Sequence, residues 1–386
     1  MKGLTSFSLT VVVCLCIGVV SAFGQAAYRI SAPHTSQNLT IFFIHGEDTS
    51  SNKNLITLQE AMEMGVFKVY ETEDVDELIV ENISPKYDVF IQSGDIVKGG
   101  KQDRVLAISI IVPRNSGKVS IEAFCVESDR WDDRGDESNK EFSSSEERIV
   151  SRELKIAANG TVSGSGTGSS SGTGTGSGSS SGSVSAGAAP PIALLPGTVS
   201  GTRAATEVVS VAGRGDQSAV WNEVANAQRN ISANVMADVT ANSSASSLQL
   251  SLENKKLVKA REEFAKKFSH LTKGKTDIIG YAFAINGKIN SADIYVSNHL
   301  FNKLWAKMLK AAVTEAISLA DQAKAESEPT AGDISSFLSE ADKGTPKERQ
   351  TVANSKVITR ATKNEVVYEA RDKADAIVHR SYVKLN

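Results

Sequence analysis

The chain has 386 residues, a formal net charge of −3 and 40% apolar residues. That balance supports a packed core and excludes a disordered polyelectrolyte. Without a basic excess it also lacks the electrostatic footprint of a nucleic-acid binder. Two of the three cysteines, Cys14 and Cys16, fall within the first 24 residues; once these are removed, Cys125 stands alone and no intrachain disulfide can form.

Taken in chain order, residues 1–24 come first, with Lys2, an apolar run from Leu9 to Val20, and small residues Ala22 and Gly24. This is the layout of a secretory signal peptide cleaved near Gly24, and the run is shorter than the roughly 20 apolar residues a membrane span needs. The expected protein is exported, periplasmic or extracellular, with no membrane span after cleavage. Residues 25–158 read as an α+β part rich in strands. "NLTIFFIHG" is a strand, "NLITLQEAMEMGVFKVYE" a short helix ending at Gly65 and then a strand, and "RVLAISIIVP" one strand buried on both faces. "KVSIEAFCVE" alternates, and a buried, inert Cys125 is expected on its apolar face.

Residues 159–191 are almost pure Gly, Ser and Thr and form a disordered insert, because such a stretch has too little apolar surface to offset its ordering entropy. Residues 192–325 follow, with helical patterns through Val220, Trp221 and Val224 and through Leu250, Leu257, Ala260 and Phe264. Asn286-Gly287 between two alternating runs marks a hairpin. A long helix then carries Trp305, Leu309, Ala312, Ala316 and Leu319 on one face and Lys303, Lys307, Lys310 and Thr314 on a solvated one. Residues 326–346 read as a polar linker, and 347–386 as a tail of two or three short strands with a turn at Thr362–Glu365. The fold class is α+β, with mixed, mainly antiparallel sheets packed with several helices and interrupted by the insert.

Candidate chemistry centres on "IQSGDIVKGGKQDRVL", Ile91–Leu106. If Gly99-Gly100 forms a two-residue turn, Lys98 faces Lys101 and Asp95 faces Arg104. Two facing lysines either bind an anion, which removes their repulsion, or sit solvated at a bare hairpin tip. The acidic runs around Glu71–Glu77 and Glu127–Glu137 do not fit calcium-loop spacing, and no His or Cys pair has zinc spacing, so no metal site is expected. No pattern names a cofactor.

The blocks "LQEAMEMGVFKVYE", "GDIVKGGKQDR", "IEAFCVESDRW", "QSAVWNEV" and "YAFAINGKINSADIYVSNHLFNKLWAKML" appear in an order that resembles the ARG and rhodanese-phosphatase-superfamily-associated protein domain, a bacterial family. The resemblance implies that the parts on either side of the insert are one domain. It also implies a role in ADP-ribose or nucleotide-related metabolism or signalling. On it rests a ligand site of Lys98, Gly99, Gly100, Lys101, Gln102, Arg104, Trp131 and Trp221, with Glu71, Glu122 and Asp95 as candidate acid/base groups. The expected function is a binding module for an anionic, nucleotide-like molecule. The alternatives are a hydrolase of such ligands and a structural envelope protein.

Overall fold

A computed structural model describes residues 28–50, 52–128, 130–131, 134–160, 215–350 and 355–385. The expected signal segment, and the insert from residue 161 on, lie outside the described residues. The architecture is α+β. Strands β1 (Arg29–Ile30), β2 (His34–Ser36), β3 (Leu39–His45) and β4 (Leu55–Thr57) lead into helix α1 (Leu58–Glu63). Eight strands follow: β5 (Phe67–Tyr70), β6 (Glu77–Asn82), β7 (Asp88–Ile91), β8 (Asp95–Gly99), β9 (Arg104–Leu106), β10 (Ile110–Val112), β11 (Gly117–Cys125) and β12 (Phe142–Arg148). Helices α2 (Arg152–Asn159), α3 (Gln217–Asn234), α4 (Leu248–Leu252) and α5 (Lys255–Ala265) precede the hairpin β13 (Ile278–Ile285) and β14 (Lys288–Tyr295). Then come α6 (Asn298–Ser318), α7 (Ala331–Asp342), β15 (Thr345–Gln350), β16 (Lys356–Ala361), β17 (Glu365–Arg371) and β18 (Ile377–Lys384).

The strands form three sheets. In the order β12-β8-β9-β11-β6-β5, six antiparallel strands close on themselves through a Tyr70–Glu141 bridge and the Glu71 N–H, which donates to the Lys140 carbonyl at 2.9 Å. Strands β10, β7 and β4 make a small sheet in which β4 and β7 are parallel. The nine-stranded sheet runs β1-β3-β13-β14-β18-β17-β16-β15, with β2 paired to β3. The Asn286-Gly287 turn has positive φ at both residues, 52° and 75°, as that dipeptide predicts.

Three expectations are corrected here. The single strand expected over "RVLAISIIVP" is two, β9 and β10. Between them the Ala107 N–H turns to the Glu122 carbonyl and the Ser109 hydroxyl accepts from the Ser93 N–H, so the chain passes from one sheet to the next with its apolar run unbroken. The expected polar linker contains α7, whose start is held by a reciprocal capping box between Thr330 and Asp333. Its Ile334, Phe337, Leu338 and Ala341 pack with Val367 and Tyr382, an apolar stripe too short to stand out among polar neighbours. The tail has four strands, and β18 sits between β14 and β17 inside the sheet.

Helix α6 is sandwiched. Trp305, Leu309 and Ala312 share one core cluster with Phe43 and Tyr281 of the large sheet and with Leu55 and Phe90 of the small one. The face read as solvated is covered only in part, since Lys303 is exposed and Lys307 and Lys310 are half-buried. Thr314 is buried, Lys303 reaches Glu60, and Lys307 and Lys310 reach Asp95 and Glu146 at 3.0 and 2.8 Å.

Asn159, expected to open the insert, instead closes α2, and the described residues that flank 161–214 lie at one place. The Asp216 N–H donates to the Ala157 carbonyl at 3.0 Å, and a Cβ on Gly215 would meet the Ala158 carbonyl at 2.3 Å. Helices α2 and α3 thus pack as neighbours independently of what joins them. Replacing residues 161–214 by a short Gly/Ser linker is expected to leave the melting temperature within about 5 °C, since loop closure depends only weakly on length. Calorimetry on the shortened chain checks this.

Candidate functional site

The hairpin that carries most of the expected site residues is not a two-residue turn. Val97 pairs with Arg104 and Ile96 with Val105, so Asp95 does not face Arg104 and the loop runs through Gly100, Lys101, Gln102 and Asp103. Lys98 is on β8, paired with Ser143, and its ammonium donates to Glu253 at 2.6 Å. Lys101 pairs with Glu73 at 2.9 Å and lies 5.3 Å over the Trp131 ring. The two lysines do not oppose each other. Each already has an acid.

Backbone donors of the loop are likewise taken at Gly99, Gly100, Lys101 and Asp103. Gly99 N–H donates to Asp103, Gly100 N–H to the Ser138 carbonyl and Lys101 N–H to Glu71 Oε2. Positive φ at Gly99 (112°) and Gly100 (56°) shapes this cradle, and a Cβ on Gly100 would come within 2.6 Å of Glu71 Oε2. The anion in the cradle is the protein's own Glu71 carboxylate. It also accepts from the N–H groups of Thr72 and Glu73 and from Arg104 Nη2, each at 3.0 Å.

Arg104 is fully buried and donates through Nη1 to the Val75 carbonyl and to Cys125 Sγ at 2.7 Å. Burial pushes the Cys125 thiol up to about 12, against the pull of Arg104, so this cysteine is the inert one expected. Beneath the loop, Asp103 accepts two bonds from Arg134 at 2.8 Å. Arg130 pairs with Glu127 and donates to the carbonyls of Gly99 and Gly100.

The other candidates are dispersed. Glu122 on β11 pairs with Arg349 of β15, and Asp95 with Lys307 of α6. Trp221 is half-buried on α3, with its indole N–H lacking an acceptor among the described residues. Gln102 is buried with its Oε1 unpartnered, and Trp131 is 46% exposed. The structure therefore brings Glu71, Gly99, Gly100, Lys101, Arg104 and Trp131 together, and leaves Glu122, Asp95, Lys98 and Trp221 elsewhere. Removing the buried Glu71 carboxylate strands the Arg104 guanidinium. Glu71→Ala is expected to lower stability by about 3–5 kcal/mol, read from denaturant melts, and a loss under 1 kcal/mol contradicts this role.

A second polar cluster lies in the core. Asp293 on β14 accepts from His379 Nε2 at 3.0 Å and pairs with Lys155 of α2 at 3.5 Å, while His379 Nδ1 meets the Ser109 hydroxyl at 3.1 Å. The order serine, histidine, aspartate has the contacts of a catalytic triad but no room for a substrate. The three residues are 7, 1 and 2% exposed, and Phe90 and Tyr295 pack on the imidazole. Burial alone would raise the Asp293 carboxyl, yet Lys155, His379 and Arg148 hold it well below the usual range.

Sequence reading missed a cleft of about 390 Å3 formed by α2, α3, the end of α6 and the β13–β14 hairpin. Glu315 of α6 lines it and is buried. Its Oε1 accepts from the Arg152 N–H at 2.9 Å, the first N–H of α2, and from Asn290 Nδ2 at 2.8 Å. No cation pairs with it among the described residues: the Arg152 guanidinium turns to Glu153. Asn286 donates to the Leu319 carbonyl and Asn290 to Glu315, and the side-chain oxygen of each is buried with no donor among the described residues. No short motif marks this cleft, because its walls come from four distant segments.

Burial raises the Glu315 carboxyl to about 7, with Glu153 adding to the shift and the Arg152 N–H, Asn290 and, last, the Arg152 charge opposing it. A carboxyl raised on folding contributes stability that is fully present below its unfolded pKa and lost as pH rises through about 7. Glu315→Gln keeps the Oε1 contacts and does not ionise. It is expected to match the parent near pH 4 and to exceed it by about 3 kcal/mol near pH 8 in denaturant melts.

Among the described residues no helix is long and apolar enough to cross a membrane. No curated protein and no solved structure matches the chain. A family model does match, over residues 27–383, which takes in both sides of the insert, α7 and the four-stranded tail. The chain belongs to the family of the ARG and Rhodanese-Phosphatase-superfamily-associated Protein domain.

Proposed function

We propose that the protein is a binding module for a small polar molecule, held in the cleft between α2, α3, α6 and the β13–β14 hairpin. The observation that carries this reading is the Glu315 carboxylate, buried in the wall of the cleft with no cation paired to it among the described residues. Asn286 and Asn290 each keep a buried oxygen without a donor, beside a buried Glu315 without a counter-ion. A buried carboxylate in the wall of a cavity that meets no cation marks a place where another molecule completes the set. The anionic specification rested on Lys98 and Lys101, and both are ion-paired. The hydrolase alternative loses its motivation for the same kind of reason, since Glu71, Glu122 and Asp95 are held by three different cations. The signal-peptide layout of residues 1–24 supports placing the module outside the cytoplasm.

Thermal-shift and calorimetric screening of small polar molecules, with ribose, ADP-ribose and nucleotides among them, tests the assignment. Binding weakened at least about tenfold by Asn290→Leu and kept by Lys101→Ala is expected. The reverse pattern moves the site to the hairpin, and no binding by any molecule overturns the reading.

A further inference from the structure

The cleft is lined by a carboxylate that lacks a cation, and that restricts what fits. The free group is Glu315 Oε2; the side-chain oxygens of Asn286 and Asn290 also lack donors but are sealed from the cleft. The two amide orientations are set by their donors: a flipped Asn286 would put oxygen against the Leu319 carbonyl, and a flipped Asn290 would put oxygen against Glu315. One wall is the C-terminal end of the 21-residue α6, at Ser318 and Leu319, where the helix carries partial negative charge.

The other charges lining the cleft balance, so Glu315 sets its sign. From α2 come Arg152, committed to Glu153 at 2.7 Å, and Lys155, committed to Asp293. From α3 comes Glu223, and from β14 comes Lys288, exposed at the rim. With Glu315 ionised, the lining holds three acids, Glu153, Glu223 and Glu315, against two cations, Arg152 and Lys288. A molecule offering hydroxyls alone would supply donors but would leave the Glu315 charge buried and unpaired.

We propose that the ligand of the cleft is an organic cation whose primary ammonium or guanidinium group pairs with the Glu315 carboxylate. This rests on the binding reading above and names the class of ligand for the same site. A cation is the one group that donates several hydrogen bonds to acceptors and also neutralises the carboxylate. A volume of about 390 Å3 leaves room for the carbon chain of such a molecule, which a bare metal ion would not fill. Binding is proton-linked, because Glu315 must be ionised to hold the cation.

The test is calorimetry on the full-length protein with butylammonium and butylguanidinium. Butanol, ribose, inorganic phosphate and calcium serve as comparison probes, and the side-chain amide NMR signals of Asn286 and Asn290 locate the binding. The expected result is that one of the two cations binds near pH 8 and shifts both amides. Its affinity falls about thirtyfold near pH 5.5, where few Glu315 carboxyls are ionised, and at least about tenfold in Glu315→Gln. Equal affinity in Glu315→Gln, or at both pH values, overturns the proposal. So does a shift of the same amides by ribose, butanol, phosphate or calcium but by neither cation; that outcome leaves the cleft as a binding site and changes its ligand class. No probe shifting either amide overturns both readings together.

Discussion

The fold depends on keeping one buried carboxylate satisfied. Asp293 lies deep between layers, where an unpaired charge would cost several kcal/mol, and its partners come from segments far apart in the chain. Lys155 arrives from α2, before the insert; His379 arrives from β18, near the C-terminus and itself tied to Ser109 between β9 and β10. These distant segments meet at one cluster. The closed six-stranded sheet, the helices and the tail therefore form one unit, and the insert interrupts the chain without dividing the fold.

The same requirement governs the glycine hairpin. A loop with two glycines in left-handed conformation and several cations nearby has the local look of an anion site. Here the anion is Glu71, drawn in from the end of β5, and its four hydrogen bonds join the loop, the seam of the closed sheet and the buried Arg104. The outer lysines are matched by Glu73 and Glu253. Electrostatic features that point to a ligand when read one segment at a time become internal once the chain supplies its own counter-charges.

The cleft at Glu315 departs from that pattern. Elsewhere in the described residues the buried carboxylates Glu71, Asp95, Asp103, Glu127, Glu147 and Asp293 all meet a cation. Glu315 meets only neutral donors, and two amide oxygens beside it meet none. That contrast is why the proposed ligand site is placed there and not at the more conspicuous hairpin.

Local patterns in the sequence were enough for the α+β class, the strand at "NLTIFFIHG", the helix ending at Gly65, the Asn286-Gly287 hairpin, the apolar face of α6 and the buried Cys125. Each depends on neighbours within a few residues, through side-chain periodicity or backbone preference. What the sequence could not show is which distant segment covers which face. Tertiary structure decided that the lysine face of α6 meets acids, that α7 is a packed helix, that β18 lies inside the sheet and that Glu71 fills the glycine cradle. It alone assembled the Glu315 cleft, because a charge finds its partner, or lacks one, through contacts between residues that are distant in the chain.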